Sequence, residues 1–415
     1  MSYKTGDNMQ VYLVGGAVRD ELLGKPSADR DWVVVGSTPE ELLALGYQQV
    51  GNEFPCYLHP ETKEEYALAR KETKTGRGHG GFHCEFGPDV TLEQDLERRD
   101  LTVNAIAKDE TGRLIDPYGG VDDLNNKVLR HVSKAFSEDP LRVLRVARFT
   151  ARYHGLGFKV HPGTQDLMRC LVKTGELESL TAERVWKEMS RALDEPKPSA
   201  FFLTLRACGA LRALLPEVDA LFGVPQPEKH HPEIDSGVHT MMVLDAAKSQ
   251  FNSAIVNWAA LLHDLGKGVT PKDQWPKHLR HEESGVPLVE AVCERYKVPN
   301  EYKAVAVLTA KHHLRCHRLL EMKPGSIMRL IEALDGIRRP ERVRHFAEAC
   351  EADARGRTGF EDRHYPNGEL LVRCTQVAKT VDIKPLLDKG YEGLKLAEQI
   401  KQLRIREIAD FMAAI

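Results

Sequence analysis

Short apolar runs broken by glycine, proline and aspartate mark residues 1–130, and a helical period marks most of residues 139–415. Residues 11–14 (VYLV) and 32–35 (WVVV) are runs of the length of a buried strand. Between them Gly15-Gly16 breaks the pattern, and residues 17–23 take on helical spacing with Arg19 in the first turn. Further strands are predicted at 66–69, 103–107 and 114–115, which makes an α+β head with few strands. Residues 71–87 (KETKTGRGHGGFHCEFG) hold five glycines and no periodic face, and read as a mobile loop. From Asp139 onward the period is helical, and LRVLRVARFTARY sets Arg142, Arg145, Arg148 and Arg152 at helical intervals. More helices are expected at 181–193, 199–215, 240–247, 258–265 and 287–296. Proline-rich breaks at 195–198 and 223–232 punctuate them, and the second (GVPQPEKHHP) is the clearest linker. The expected fold is therefore a small head with a mixed or antiparallel sheet, residues 1–138, followed by an elongated all-α body divided at 139–225, 226–355 and 356–415.

A chain of 415 residues with 42% hydrophobic positions can bury two to four cores. Its 58 Lys and Arg are balanced by 61 Asp and Glu, so bulk charge does not attract nucleic acid, and an RNA partner would need local basic surface. The eight cysteines (Cys56, Cys84, Cys170, Cys208, Cys293, Cys316, Cys350 and Cys374) form no CxxC pair, which removes the zinc-ribbon and thioredoxin readings. Free thiols in a reducing cytosol are expected, hence a cytoplasmic protein. No 18-residue apolar run and no leader-like apolar segment occur, so neither membrane spanning nor secretion is indicated. Residues 1–8 are a polar extension ahead of the first strand.

Asp29 and Asp31 carry the sharpest chemistry. Residues i and i+2 of a strand share a face, so both carboxylates project together while Arg30 points away. Paired carboxylates suit two Mg²⁺ ions, the arrangement of phosphoryl and nucleotidyl transfer. The preceding glycines let backbone amides approach a phosphate. A lone Gly-Gly is usually a turn and a lone Asp-x-Asp a solvated strand end; the strand–GG–helix–strand order is what makes them specific. A GxGxxG occurs at 76–81 (GRGHGG), but within the glycine-rich segment read as a loop and not between an apolar strand and a helix, and no GxxxxGK[ST] is present, which leaves the Rossmann and P-loop readings without support.

GGAVRD (15–20), LG (23–24) and DRD (29–31), then RRDLTVNA (98–105), then EDPLR (138–142) resemble in order and spacing the signature blocks of the nucleotidyltransferase superfamily, in its tRNA nucleotidyltransferase/poly(A) polymerase branch. The nearest likeness is to bacterial CCA-adding enzymes that carry an HD domain. The resemblance implies Mg²⁺ on Asp29 and Asp31, and nucleotide contacts from Gly16, Arg19, Arg99, Arg145 and Arg148. It also implies that Asp139 and Arg142 pair with the incoming base, where the plain reading would be a solvated i,i+3 ion pair. Glu65 is the candidate third carboxylate, and Asp100 and Asn104 are expected to support the architecture.

A second constellation, His239, His263-Asp264 and Asp353, resembles the ligand set of HD-superfamily metal phosphohydrolases, with HDLGK at 263–267 as its core. An HD dipeptide alone is common and inert; the upstream GVHT and downstream EADARGR strengthen it. The implied cofactor is a divalent transition metal such as Ni²⁺ or Mn²⁺. Asp335 is the alternative to Asp353, and His281 and His313 fall where two-metal relatives have further ligands. His230, His231, His278, His312 and His317 are expected at the surface. The implied activity is CCA addition to the tRNA 3′ end from CTP and ATP, with hydrolysis of phosphomonoesters and 2′,3′-cyclic phosphates, in a monomer or homodimer away from membranes. The competing readings are a poly(A) polymerase of the same branch, an HD hydrolase with an inactive head, and a nucleotide- or RNA-binding regulator.

Overall fold

The computed structural model describes residues 9–26, 30–51, 56–74, 82–229 and 231–415, with the backbone alone at 72–74 and 82–84. The chain forms two compact units, Met1–Val185 with Ala207–Ala213, and Trp186–Arg206 with Leu214–Ile415.

The first unit is built on β1 (Gln10–Val14), β2 (Asp31–Val35), β3 (Gln48–Val50), β4 (Cys56–Leu58), β5 (Glu65–Leu68), β6 (Arg70–Lys74), β7 (Phe82–Phe86), β8 (Ala107–Lys108) and β9 (Leu114–Ile115). Seven strands form one mixed sheet in the order β3-β4-β5-β2-β1-β8-β9, and β6 pairs with β7 separately. β2 runs antiparallel to β1 and parallel to β5, with Asp31 level with Val14 on one side and Glu65 on the other. Val33 joins an apolar cluster with Val14, Leu92, Leu96 and Ala105. Its neighbour Val34 joins a different cluster with Leu42, Tyr57, Tyr66 and Leu68. Successive residues of β2 thus bury opposite faces, which is why the strand reads as an unbroken apolar run.

The turn after β1 needs glycine. Gly15 has φ 69°, and a Cβ there would lie 2.7 Å from Arg99 Nη1. The chain then enters the helix Gly16–Leu22 with no residue spent on a longer turn.

Two expectations fail in the head. Residues 103–107 were expected as a strand, but the chain makes a 3₁₀ turn at Thr102–Asn104 and only β8 comes after it. Val103, Ala105 and Ile106 are fully buried, and a run buried on all sides has no period to separate turn from strand. Residues 71–87 were expected as a loop, yet β6 and β7 form an antiparallel ladder from Arg70↔Phe86 to Lys74↔Phe82. β6 reads RKETK, so polar side chains hid the strand, and four of the five glycines lie at 75–81, outside the described residues.

Most predicted helices are present with shifted ends: Ala182–Asp194, Ser236–Phe251, Ala254–Leu262 and His281–Arg295, the last continuing through Pro287. The helix expected over 199–215 is divided into Pro198–Cys208 and Ala210–Leu214 at Gly209, whose φ is 85°. Ala254–Leu262 is buried all round, with Trp258 among the fully enclosed side chains. The segment 223–232 lies within the second unit, where Gln226 N donates to Ile234 O and His278 Nε2 approaches Pro225 O. The helices Pro324–Ala333, Asn367–Lys379 and Gly393–Ala413 share one cluster with Cys316, Phe346 and Cys350 of the preceding helices, closed by Leu371 and Ile408. No helix among the described residues is long and apolar enough to cross a membrane.

Gly120 opens the helix Gly120–Asn125, where alanine would ordinarily be favoured by about 1 kcal/mol. A Cβ there would sit 2.2 Å from Thr102 O and 2.7 Å from Ile106 Cγ1. Gly120→Ala is therefore expected to destabilise the head by about 1–3 kcal/mol, read as a lower midpoint of its denaturant transition; an unchanged or higher midpoint would contradict this packing.

Candidate active sites

The head cleft has a volume of about 600 Å³ and is lined by Gly15, Gly16 and Asp31 with nine arginines against three aspartates. Its arginines come from every element around it, among them Arg19 on the first helix and Arg142, Arg145 and Arg148 on Leu141–Tyr153. Such a concentration suits a polyphosphate, whose oxygens guanidinium groups bind in pairs.

Carboxylates within and around the cleft hold these arginines in place. Asp95 takes Arg98 at 2.8 Å and Arg99 at 3.2 Å. Asp20 accepts from Arg19 Nε and from the Tyr153 hydroxyl, each at 2.9 Å. Asn104 Oδ1 accepts from Arg19 Nη1 while its Nδ2 donates to Asp100. Asp100 also accepts from Arg145 Nε at 2.7 Å. Burial alone would raise the Asp100 carboxyl, but Arg145, Asn104 and Arg142 outweigh it and hold the group well below the usual carboxylate range. Arg19 and Arg148 lie over the Phe149 ring at 5.1 and 4.9 Å.

The structure brings Gly16, Arg19, Asp31, Arg99, Asp139, Arg142, Arg145 and Arg148 to this one cleft. Asp29 lies outside the described residues. Asp139 does not form the i,i+3 pair with Arg142: its Oδ2 meets Arg184 Nη2 at 2.8 Å and its Oδ1 caps Leu141 N. Arg142 instead donates to Ala135 O and Arg98 O. Glu65 faces the same side as Asp31, being its partner in the parallel ladder. Burial raises the Cys56 thiol, and both Glu65 and Asp31 add to the shift. Arg70, Arg98 and Arg184 line the cleft without having been singled out in the sequence; Arg98 stands next to Arg99, but nothing near residue 184 marks its pairing with Asp139.

In the second unit, His239, His263 and Asp353 bring ligand atoms within 4.8 Å of one another, and so do Asp264, His281 and His313. Close approach of backbones makes this possible: a Cβ on Gly266 would lie 2.0 Å from His281 O, so only glycine lets that helix begin against the turn after Asp264. The histidines share an orientation. Nδ1 of His263 faces Ala260 O at 2.7 Å, that of His281 faces His278 O at 2.9 Å, and that of His313 faces Thr309 O at 3.0 Å. A carbonyl only accepts, so each Nδ1 carries the proton and each Nε2 turns a lone pair inward. His281 and His313 Nε2 consequently lie 3.3 Å apart. Burial pushes His313 down to about 3, which keeps it a neutral ligand.

His263 Nε2 and Asp264 Oδ1 are buried with no hydrogen-bond partner. Inward imidazole nitrogens with two carboxylates repel one another unless a cation lies between them, so the residues fit a divalent transition metal. Positive groups already border the centre: Lys267 Nζ is 2.5 Å from Asp264 Oδ2, and Arg357 Nη2 is 3.1 Å from Asp353 Oδ1. Burial would raise both carboxyls, but positive charge beside them, Lys267 at Asp264 and Arg357 at Asp353, helps hold them well below the ordinary range.

Asp353 rather than Asp335 enters the centre. Asp335 is tied to Arg338 at 2.7 Å, elsewhere on the surface. Four histidines expected at the surface are not exposed. His278 is buried, His231 and His312 are partly buried, and His317 Nε2 meets Asp353 Oδ2 at 2.7 Å. Neighbouring charges and polar residues gave these histidines a solvent-facing pattern, but His231 and His278 lie in loops that are packed over, and His312 and His317 on the helix Asn300–His317. His230 lies outside the described residues. Glu233, in the segment read as a linker, has 2% of its side chain exposed, with Oε1 3.2 Å from His231 Nδ1. Burial would raise Glu233, but His231 and His239 hold it well below the usual range.

Three family models match the chain: the Poly A polymerase head domain at residues 11–130, the probable RNA and SrmB-binding site of polymerase A at 157–222, and the HD domain at 236–354. A multifunctional CCA protein of Pseudomonas fluorescens (strain Pf0-1) is 56% identical over 400 residues, 96% of this chain and 98% of that one. One from Pseudomonas aeruginosa (strain PAO1) is 56% identical over 397 residues, covering 96% and 97%. Among solved structures, a CCA-adding enzyme in complex with CTP aligns with TM-score 0.63 at 21% identity, over 97% of this chain and 87% of that one. A Thermotoga maritima CCA-adding enzyme complexed with tRNA aligns with TM-score 0.60 at 20% identity, over 98% and 91%. Full-length identity of this degree, over a head and a histidine centre of the matching types, shows that the chain belongs to the multifunctional CCA protein family.

Proposed function

We propose that this protein adds CCA to the 3′ end of tRNA from CTP and ATP, and that its histidine centre hydrolyses phosphate esters, including 2′,3′-cyclic phosphates at RNA ends. The observation that carries the first part is the convergence of nine arginines on the Asp31 end of β2. The arginines bind and orient the triphosphate with its α-phosphate toward Asp31, and Arg19, fixed by Asp20 and Asn104, does so without reorganising. Asp29 and Asp31 would hold Mg²⁺, which would supply Lewis-acid activation and charge neutralisation for nucleotidyl transfer. Glu65 completes the carboxylate set beside Asp31.

Asp139 and Arg142 read the base edge. A carboxylate accepts from the exocyclic amino group that cytosine and adenine both carry, and a guanidinium donates to the adjoining ring nitrogen or carbonyl. UTP and GTP present a carbonyl where the amino group stands, leaving an acceptor facing an acceptor. No nucleic-acid template is then needed.

In the histidine centre, His239, His263, Asp264 and Asp353 hold a divalent transition ion such as Ni²⁺ or Mn²⁺, and His281 and His313 with Asp264 hold a second. A metal bound there would supply Lewis-acid activation for hydrolysis. Lys267 and Arg357 stand where they can take the substrate's phosphate oxygens. An active phosphatase of this kind would clear 3′ ends to the free hydroxyl that the head extends.

A labelled tRNA lacking its 3′ CCA tests the head directly. Two residues added with CTP alone, and three with CTP and ATP followed by a stop, are expected on a sequencing gel. A long ladder with ATP alone would replace this reading with poly(A) polymerase, and no extension would overturn it.

The two centres should separate cleanly. Asp31→Ala is expected to lower extension by at least about 10²–10³-fold while metal-dependent phosphatase activity persists, and His263→Ala to do the reverse. Phosphatase activity that survives in His263→Ala would remove the histidine centre from the reaction. Asp139→Ala is expected to erase about 10²-fold of discrimination against UTP, measured as the ratio of kcat/KM for CTP and UTP; an unchanged ratio would exclude Asp139 from base reading.

A further inference from the structure

Gln226 sits at the edge of the histidine centre with one half of its amide engaged and the other half free. It is 2% exposed, and its Oε1 accepts from Lys267 Nζ. Its Nε2 is buried with no hydrogen-bond partner. The contact with Lys267 fixes which way the amide points: an ammonium has only hydrogens to offer, so the oxygen must face it. The free Nε2 shares a carbon with that oxygen and so stands beside the same ammonium. Lys267 Nζ in turn lies 2.5 Å from Asp264 Oδ2, at the border of the centre.

The sign of the free group decides what can complete it. An amide nitrogen only donates, so a cation leaves it unsatisfied and an oxygen acceptor does not. The main chain holds it there. Gln226 N donates to Ile234 O and Ser236 N to Val224 O, so this stretch folds back on itself just ahead of the helix Ser236–Phe251. His278 Nε2, 2.7 Å from Pro225 O, secures the preceding residue.

We infer that Gln226 is a substrate-binding residue of the histidine centre, donating its free amide N–H to a phosphate oxygen of the ester that Lys267 also holds. The inference rests on the proposed phosphatase reading of that centre. One carboxamide then has two roles: Oε1 steadies the lysine, and Nε2 gives the anion a second donor, whose hydrogen bond the phosphate charge strengthens. Substitution separates the roles. Leucine removes both. Glutamate keeps an oxygen toward Lys267 but sets a second oxygen where the donor stood, and that oxygen repels a phosphate. A residue that only steadied Lys267 would tolerate glutamate; one that donates to the substrate would not.

The test uses the full chain loaded with Ni²⁺. KM is measured for 2′,3′-cyclic AMP and p-nitrophenyl phosphate, and the dissociation constant of inorganic phosphate by calorimetry. Ni²⁺ affinity and the melting temperature of each variant check the centre and the fold. Gln226→Leu is expected to raise both KM values and the phosphate dissociation constant by about 10–100-fold, and Gln226→Glu by more, with Ni²⁺ affinity unchanged. Wild-type KM and phosphate affinity in Gln226→Leu would overturn the inference and leave the phosphatase reading standing. Loss in Gln226→Leu with wild-type values in Gln226→Glu would also overturn it, since Gln226 would then only position Lys267. Ni²⁺ affinity that falls in step with phosphate affinity would do the same, because the amide would then act on the metal. A wild-type protein that hydrolyses neither ester with Ni²⁺ or Mn²⁺ would overturn the phosphatase reading and this inference with it.

Discussion

Mutual repulsion among guanidinium groups is the constraint around which the head is organised. A pair of like charges about 6 Å apart at an effective dielectric constant of 20 costs about 3 kcal/mol, and nine arginines line one cleft. Asp20, Asp95, Asp100 and Asp139 each take one or two of them, and Asn104 links two of these pairings. The carboxylates partly cancel the repulsion but leave the cleft with more positive than negative side chains. The remaining imbalance is what a triphosphate would neutralise, so the architecture that tolerates the arginines also makes their ligand a polyanion.

The histidine centre poses the opposite electrostatic problem. There the inward atoms are imidazole nitrogens and carboxylate oxygens, and carbonyls stand behind the rings of His263, His281 and His313. Lys267, Arg357 and His317 relieve part of the negative charge from the rim. One chain therefore carries two centres of opposite sign, the first suited to an anionic substrate and the second to a cation. Asymmetry of this kind is invisible in a net charge of −3.

Much of this could be read from the sequence where the chemistry is local. Gly15-Gly16 and Asp31 are neighbouring blocks, the family resemblance ties the arginine-bearing helix to them, and His263-Asp264 is a dipeptide. The α+β head and helical body followed from periodicity. Pairings between distant segments could not be read. Arg184 reaches Asp139 across 45 residues, and Glu233 reaches His239 from a proline-rich stretch that looks like a spacer. The β6–β7 ladder was missed because RKETK has no apolar alternation, and a ladder is held by main-chain hydrogen bonds that leave no mark in the side-chain pattern. His278 and His317 were misplaced because composition around a residue reports its own segment, whereas burial depends on which helices arrive from elsewhere.

The apolar cluster closed by Ile408 has a bearing on how the molecule comes into being. Every residue named in the head cleft precedes residue 186, so its sheet and arginines can assemble while the rest of the chain is still being synthesised. Phe346 and Cys350, on the helix that carries Asp353, gain their full packing only when the last helix, Gly393–Ala413, has left the ribosome. The arginine cleft can thus form before the packing behind the helix of Asp353 is complete, which gives a nascent chain a period in which the first centre is better ordered than the second.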